Sequence, residues 1–382
     1  MQIQKLVEQV RGAEPRLRAR LRELVEIESP SDDRAAVNRA ADCVVVWARE
    51  LGAEVRRHPG GTFGDVVEMR FGAGGNRKPV LVLGHLDTVY PMGTLVTMPW
   101  RELEAEDGVR LMGPGVVDMK AGVVMALAAV AELQELNALN RPVTLLLNPD
   151  EEVGSEVSRP HTERLARESE AIFVLEPAQG LAYKTARKGV GHFELLVEGV
   201  AAHAGVDFAS GHSAVLEMAR FVEEVSGWTD LNEGRTVNVG VIVGGTRSNV
   251  IAAQCRAEVD VRVVTMDDAP RVEKMFRGLR TRDAACTLRV SGGINRPPME
   301  RSAGTVKLFQ QAQRLAAEIG LDLQEAATGG GSDGNFTAAI GVPTLDGMGA
   351  VGGGAHSPGE YVVAGHLVER TALLAGMLQS EL

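Results

Sequence analysis

Apolar positions recur at helical spacing over residues 3–27, where Leu6, Val7, Val10, Leu17, Leu21, Leu24 and Val25 form one stripe interrupted near Pro15. Residues 34–51 repeat the pattern and stop at Gly52. Short apolar runs then alternate with helical stretches. The run PVLVLG at 79–84 is uncharged and apolar at consecutive positions, as a strand buried on both faces must be. Residues 143–147 and 171–175 read the same way, and the Ala/Val/Leu-rich stretch 119–139 between them reads as a helix. Toward the C-terminus the pattern predicts a helix at 305–318, a strand at 342–345 and a last helix at 365–377. Such alternation predicts an α/β fold with a mixed, mostly parallel sheet flanked by helices.

The middle of the chain follows another rhythm. Residues 191–200 alternate loosely, 213–225 are helical, 236–243 and 250–264 read as strands, 269–282 as a helix and 287–290 as a strand. The order β-α-β-β-α-β is that of a ferredoxin-like α+β domain. Residues 188–296 are therefore expected to form a small domain inserted into a larger one built from 1–187 and 297–382.

Composition narrows the function classes. A chain of 382 residues with 45% apolar positions can bury two cores. Its net charge of −11 argues against non-specific nucleic-acid or anionic-membrane binding. No uncharged apolar run reaches membrane-spanning length, and the charged, amphipathic start lacks the apolar core of a secretory signal, so a cytoplasmic address is expected. Cys43, Cys255 and Cys286 are widely spaced, form no CxxC and read as free thiols.

Chemistry gathers where the apolar strands end. PVLVLG runs into His85-Leu86-Asp87, VTLLLNPD into Glu151-Glu152, and AIFVLEP ends at Glu176. Asp118 stands at the start of a predicted helix, and His356 follows the last strand and a glycine loop. Ligands of open α/β sheets bind beyond the carboxyl ends of strands. An imidazole–carboxylate set suits Zn2+. Two divalent ions sharing a bridging carboxylate would offset the mutual repulsion of the acids and supply a hydrolytic centre. Asp87, two residues from His85, can accept from the far ring nitrogen of that imidazole. Of the neighbours Glu151 and Glu152, one can hold metal while the other acts as a general base. Each residue alone has a plainer reading: a solvated carboxylate, a structural histidine, or, for Asp118, a helix cap.

The segments GHLDTVYP (84–91), GPGVVDMKAG (113–122), PDEEVGS (149–155), LEPA (175–178), AAHAG (201–205), GGGSDGN (329–335) and HSPGE (356–360) resemble, in this order, the M20 family of metallopeptidases, and most closely its glutamate carboxypeptidase branch. The resemblance implies a zinc-exopeptidase-like fold with an inserted lid and dimerisation domain, and two Zn2+ per subunit, replaceable by Co2+ or Mn2+. It implies that His85 and Glu176 hold one ion, Glu152 and His356 the other, and that Asp118 bridges them. Glu151 is then the catalytic base, Asp87 orients His85, and a cis peptide follows Asp118. His203 would polarise the substrate carbonyl in the partner's site of a homodimer. Asn249, Arg262, Lys184, Arg296 and the amides of Gly330 and Gly331 would meet a C-terminal amino acid, glutamate first, in a folate-like, N-acyl or peptide substrate. Arg262 can equally be a strand-face arginine paired with Asp260 or Glu258, and the glycine run a plain connection.

Two other functions fit parts of the sequence. Gly330–Gly334 matches G-x-S-x-G, with Asp346 and His356 following in the order of a serine hydrolase, but the reading finds no strand directly before it. A non-catalytic metal-binding protein would have no use for Glu151. The run at 71–75 lacks the GxGxxG spacing of a dinucleotide loop.

Overall fold

The computed structural model describes residues 3–72 and 77–381; the rest of the glycine run at 73–75 lies outside the described residues. The chain divides into two compact units, one of Met1–Ala186, Arg301–Ala327 and Ser332–Leu382, the other of Arg187–Glu300 and Thr328–Gly331.

The first unit is built on a six-stranded mixed sheet. From one edge its strands are Glu54–His58, Val66–Phe71, Val143–Asn148, Val80–His85, Ala171–Val174 and Thr344–Leu345. The last four run parallel, and the first two are antiparallel additions. Strand Val80–His85 is buried at every position. Its side chains divide by parity, with Val80 and Val82 in one core and Leu81 and Leu83 in another. Helices Ile3–Val25, Ala121–Glu135 and Leu367–Gln379 cover the first face, and Leu165 and Ala166 of helix Arg159–Glu168 the second. An antiparallel four-stranded sheet of Gly352–Gly353, Tyr361–Val363, Gly108–Met112 and Arg101–Ala105 completes this unit.

The second unit has strands Gly189–Glu198, Thr236–Gly244, Gln254–Val263 and Thr287–Arg296, with helices Ala214–Ser226 and Asp268–Gly278 between them. All its strand pairs are antiparallel, and the strand from Thr236 to Gly244 lies at an edge. Phe193, Leu195 and Val197 alternate inward against Met218, Phe221 and Phe276 of the helices. The three cysteines are free. Among the described residues no helix is long and apolar enough to cross a membrane.

Candidate active site

Sheet register brings three strand ends to one rim. His85 closes its strand opposite Asn148. Leu83 pairs with Val174, so Glu176 lies two residues past the end of the neighbouring strand, as His85 lies two past Leu83. Glu151 and Glu152 enter on the tight turn Glu151–Val153 that follows Asn148. His356 comes from the loop between Gly352–Gly353 and Tyr361–Val363, with a left-handed backbone at φ 61°. Asp118 lies in the turn Val116–Lys120, ahead of the helix that starts at Ala121, and the Asp118–Met119 peptide bond is cis.

These residues form two triads that share one acid. His85 Nε2 is 3.2 Å from Asp118 Oδ1 and 3.7 Å from Glu176 Oε1. His356 Nε2 is 3.4 Å from Asp118 Oδ2 and 3.1 Å from Glu152 Oε2. Within each triad the potential ligand atoms lie within 4.8 Å of one another. Asp118 thus offers a different oxygen to each imidazole and caps no helix.

The pocket favours positive charge. Hydrogen bonds to Asp118 and Glu152 push His356 up to about 10. Burial works against a charged His85, but hydrogen bonds to Asp118 and Asp87 outweigh it and raise its pKa well above the ordinary value. Asp118 is held below the usual carboxylate range despite its burial, through hydrogen bonds with His356 and His85. Glu152 Oε1 is buried and has no hydrogen-bond partner. Three carboxylates with two imidazoles, arranged as overlapping triads, are a donor set that fits two divalent cations.

A family model for peptidase family M20/M25/M40 matches residues 81–380, a span that contains both triads. The chain belongs to this family. As an M20 family member it is a metallohydrolase-type enzyme. It is 28% identical to carboxypeptidase G2 of Pseudomonas sp. (strain RS-16), over 94% of this chain and 87% of that protein. It is 30% identical to acetylornithine deacetylase of Myxococcus xanthus, over 81% of this chain and 82% of that protein. The aminopeptidase PepT of Bacillus cereus has the same fold, with a TM-score of 0.80 at 21% identity, covering 96% of this chain and 98% of that one.

Asp87 meets the far ring nitrogen of His85 with both its carbonyl and its carboxylate. His85 Nδ1 is 2.9 Å from the backbone carbonyl of Asp87 and 3.4 Å from its carboxylate, so the main chain is the nearer orienting acceptor. The carboxylate also ties down the acidic turn. It accepts from the amides of Glu151 at 3.2 Å and Glu152 at 3.1 Å, and from the Ser31 hydroxyl at 2.7 Å. Ser31 carries no sequence signal, because its role depends on a contact 56 residues along the chain.

In the second unit His203 and Asn249 are exposed on neighbouring loops, joined by the Ala204 amide donating to the Asn249 carbonyl at 3.0 Å. The Arg262 guanidinium is engaged bidentately by Asp260, at 2.9 and 2.8 Å, and its Nη1 donates to the Gly329 carbonyl at 3.2 Å. Arg187, which sequence reasoning passed over, is buried and donates from Nη1 to the carbonyls of Gly330 and Gly331 at 3.2 and 3.1 Å. A side chain at Gly331 would meet Arg296 Cδ and Val190 Cγ2 at 2.8 Å, so Arg296 packs directly on this segment. Three arginines therefore border the glycine run within this unit. Lys184, in the first unit, pairs its backbone with Asp346 and lays its side chain along Gly347.

The serine-hydrolase reading needs one correction. A short strand, Glu325–Thr328, does precede the glycine run, and helix Gly334–Ala339 follows it. Ser332 nevertheless cannot act as the nucleophile. It is fully buried, its hydroxyl donates to Asp346 at 2.6 Å, and His356 is engaged with Asp118 and Glu152.

Proposed function

We propose that this chain hydrolyses the amide bond to a C-terminal amino acid in N-acyl or small peptide substrates, with glutamate as the leading residue. The reading places two divalent cations in the paired triads, Zn2+ first and Co2+ or Mn2+ as substitutes. The observation that carries it is the shared acid, with the two oxygens of Asp118 each facing a different imidazole. Such cations, when bound, supply Lewis acidity and make water a nucleophile at neutral pH. The protein's part is proton movement and alignment. Glu151 takes a proton from water and passes it to the leaving nitrogen, while Asp87 fixes the turn that carries it. His203 donates to the carbonyl oxygen. The proposal assigns recognition of the substrate carboxylates to Arg262, Asn249, Arg296 and Lys184, with the amides of Gly330 and Gly331. The Arg187 and Arg262 guanidinium groups on the carbonyls of residues 329–331, in a chain of net charge −11, support an anionic leaving amino acid.

A second reading is deacylation of N-acyl amino acids with a different side-chain preference. It is favoured by the Asp260 carboxylate already paired with Arg262 and by the similarity to a deacetylase. One experiment separates the two: metal-loaded protein is offered N-acyl-glutamate, N-acyl-alanine and N-acetylornithine, and products are read by mass spectrometry. The first reading expects N-acyl-glutamate to lead by about tenfold or more in kcat/KM, and chelation to stop all turnover until metal is restored. Equal rates across the panel would remove the glutamate assignment. Turnover that survived exhaustive chelation would remove the metal centre from the reaction.

We further infer that a homodimer forms through the second unit and that His203 serves the partner's site. Support comes from the edge strand Thr236–Gly244, where Val241, Ile242 and Val243 are 41%, 52% and 59% exposed. Exposed apolar edges invite pairing with another chain. Ile242→Asp is expected to sediment as a monomer and to lose most of its turnover. A wild-type protein that is monomeric and fully active would exclude this arrangement.

A further inference from the structure

The HSPGE segment ends in an acid that the catalytic reading leaves without a task. Glu360 is fully buried and four residues from His356. Its Oε1 accepts from the amides of Val117 at 2.8 Å and Asp118 at 3.0 Å. Its Oε2 accepts from the Gly115 amide at 3.0 Å and the Tyr90 hydroxyl at 2.6 Å. Tyr90 also lies 2.9 Å from the Ser357 carbonyl, inside the same histidine loop. A carboxylate has about four acceptor positions, and here all are used, three of them by one turn of backbone. Charge-assisted bonds of this kind are about twice as strong as neutral ones.

The connectivity is unusual for a structural acid. One carboxylate grips the amide of the shared acid Asp118 while its own backbone belongs to the loop that presents His356. The Glu360 amide closes that loop by donating to the Ser357 carbonyl at 3.2 Å. Gly115, on the gripped turn, has φ 70°, and a side chain there would meet Thr88 Cγ2 at 2.6 Å. The turn is therefore packed from behind and held by Glu360 at its amides. The tie thus joins the turn that carries Asp118 to the loop that carries His356, whose Nε2 is 3.4 Å from Asp118 Oδ2.

We propose that Glu360, with Tyr90 in support, is a positioning residue that sets the spacing between Asp118 and His356 and so tunes the affinity and geometry of the ion held there. The inference rests on the two-cation reading above. It acts through Asp118, since no Glu360 oxygen belongs to either triad.

The test uses the full-length protein, stripped and titrated with Co2+, with calorimetry for affinity and visible absorption for ligand geometry. Glu360→Ala is expected to weaken Co2+ binding by about 10–100-fold and to alter the absorption bands. In the reconstituted enzyme kcat should fall while KM stays within about threefold. Glu360→Gln keeps one acceptor oxygen for the Val117 and Asp118 amides and should recover most of the affinity. Tyr90→Phe should weaken binding less than tenfold, in the same direction. If Glu360→Ala does not fold, the Gln and Phe variants decide the matter. Wild-type affinity and an unchanged spectrum in both would overturn the proposal, and so would a folded Glu360→Ala with wild-type Co2+ binding. Wild-type protein that takes up fewer than two ions would instead overturn the underlying two-cation reading.

Discussion

Glu151→Gln is expected to lower kcat by about 10³-fold, within the range general acid–base groups contribute, while both ions remain bound and the fold is intact. Glutamine matches glutamate in size and can still accept a hydrogen bond, but it cannot carry a proton from water to a leaving amine. Glu151 belongs to neither triad. Its backbone is fixed by the same carboxylate that fixes Glu152, through Asp87 Oδ1 and Oδ2 respectively. Two adjacent residues are thus held on one short turn, with Glu152 paired to His356 and Glu151 the residue to which the proposed reaction assigns proton transfer. Steady-state kinetics and elemental analysis on the same preparation check the expectation. Near-normal turnover would mean another group carries the proton, and a matching loss of metal would mean Glu151 is a ligand.

The parallel strands could be read in the sequence because burial on both faces removes polar residues from them, as in Val80–His85. Several of the elements that escaped exist for a partner and not an interior, although the buried strand Val66–Phe71 (VVEMRF) escaped too, its apolar run broken by Glu68 and Arg70. Strand Glu54–His58 (EVRRH) is charged and lies at the sheet edge, and Arg101–Ala105 (RELEA) is largely exposed. Helix Arg159–Glu168 buries only Thr162, Leu165 and Ala166, too few to mark a period. The predicted helix from 119 starts at Ala121, because Asp118 and Met119 leave helical geometry to reach the site.

The rim itself followed the same logic. Acids and histidines directly after apolar runs are visible because a parallel sheet delivers all its strand ends to one side. What tethers them was hidden. The Glu360 carboxylate meets Gly115 across 245 positions and the Asp87 carboxylate meets Ser31 across 56, and no local pattern encodes such distances. Arg187 sits in a run of ordinary-looking basic residues, and only the fold turns its guanidinium onto the carbonyls of Gly330 and Gly331.

Asp118→Ala should have the largest effect of any single change, removing turnover by more than about 10³-fold together with both ions. Each triad loses its third member, leaving His85 with Glu176 and His356 with Glu152, two ligands where three converged. The substitution also brings the two imidazoles toward each other's charge with no acid between them. Asp118→Asn divides the effect. The amide keeps one oxygen in place but presents nitrogen donors to the other imidazole, so it can serve one triad and must repel a cation from the second. The expected metal content is therefore below one ion for the alanine variant and close to one for asparagine, against two for the wild type, by elemental analysis after dialysis. Stripped samples should share circular dichroism spectra, because the turn bearing Asp118 is held by its amide through Glu360 and not by its carboxylate. Two ions retained in Asp118→Ala would mean that the acid does not bridge. The paired geometry of His85 and His356 would then describe two independent sites.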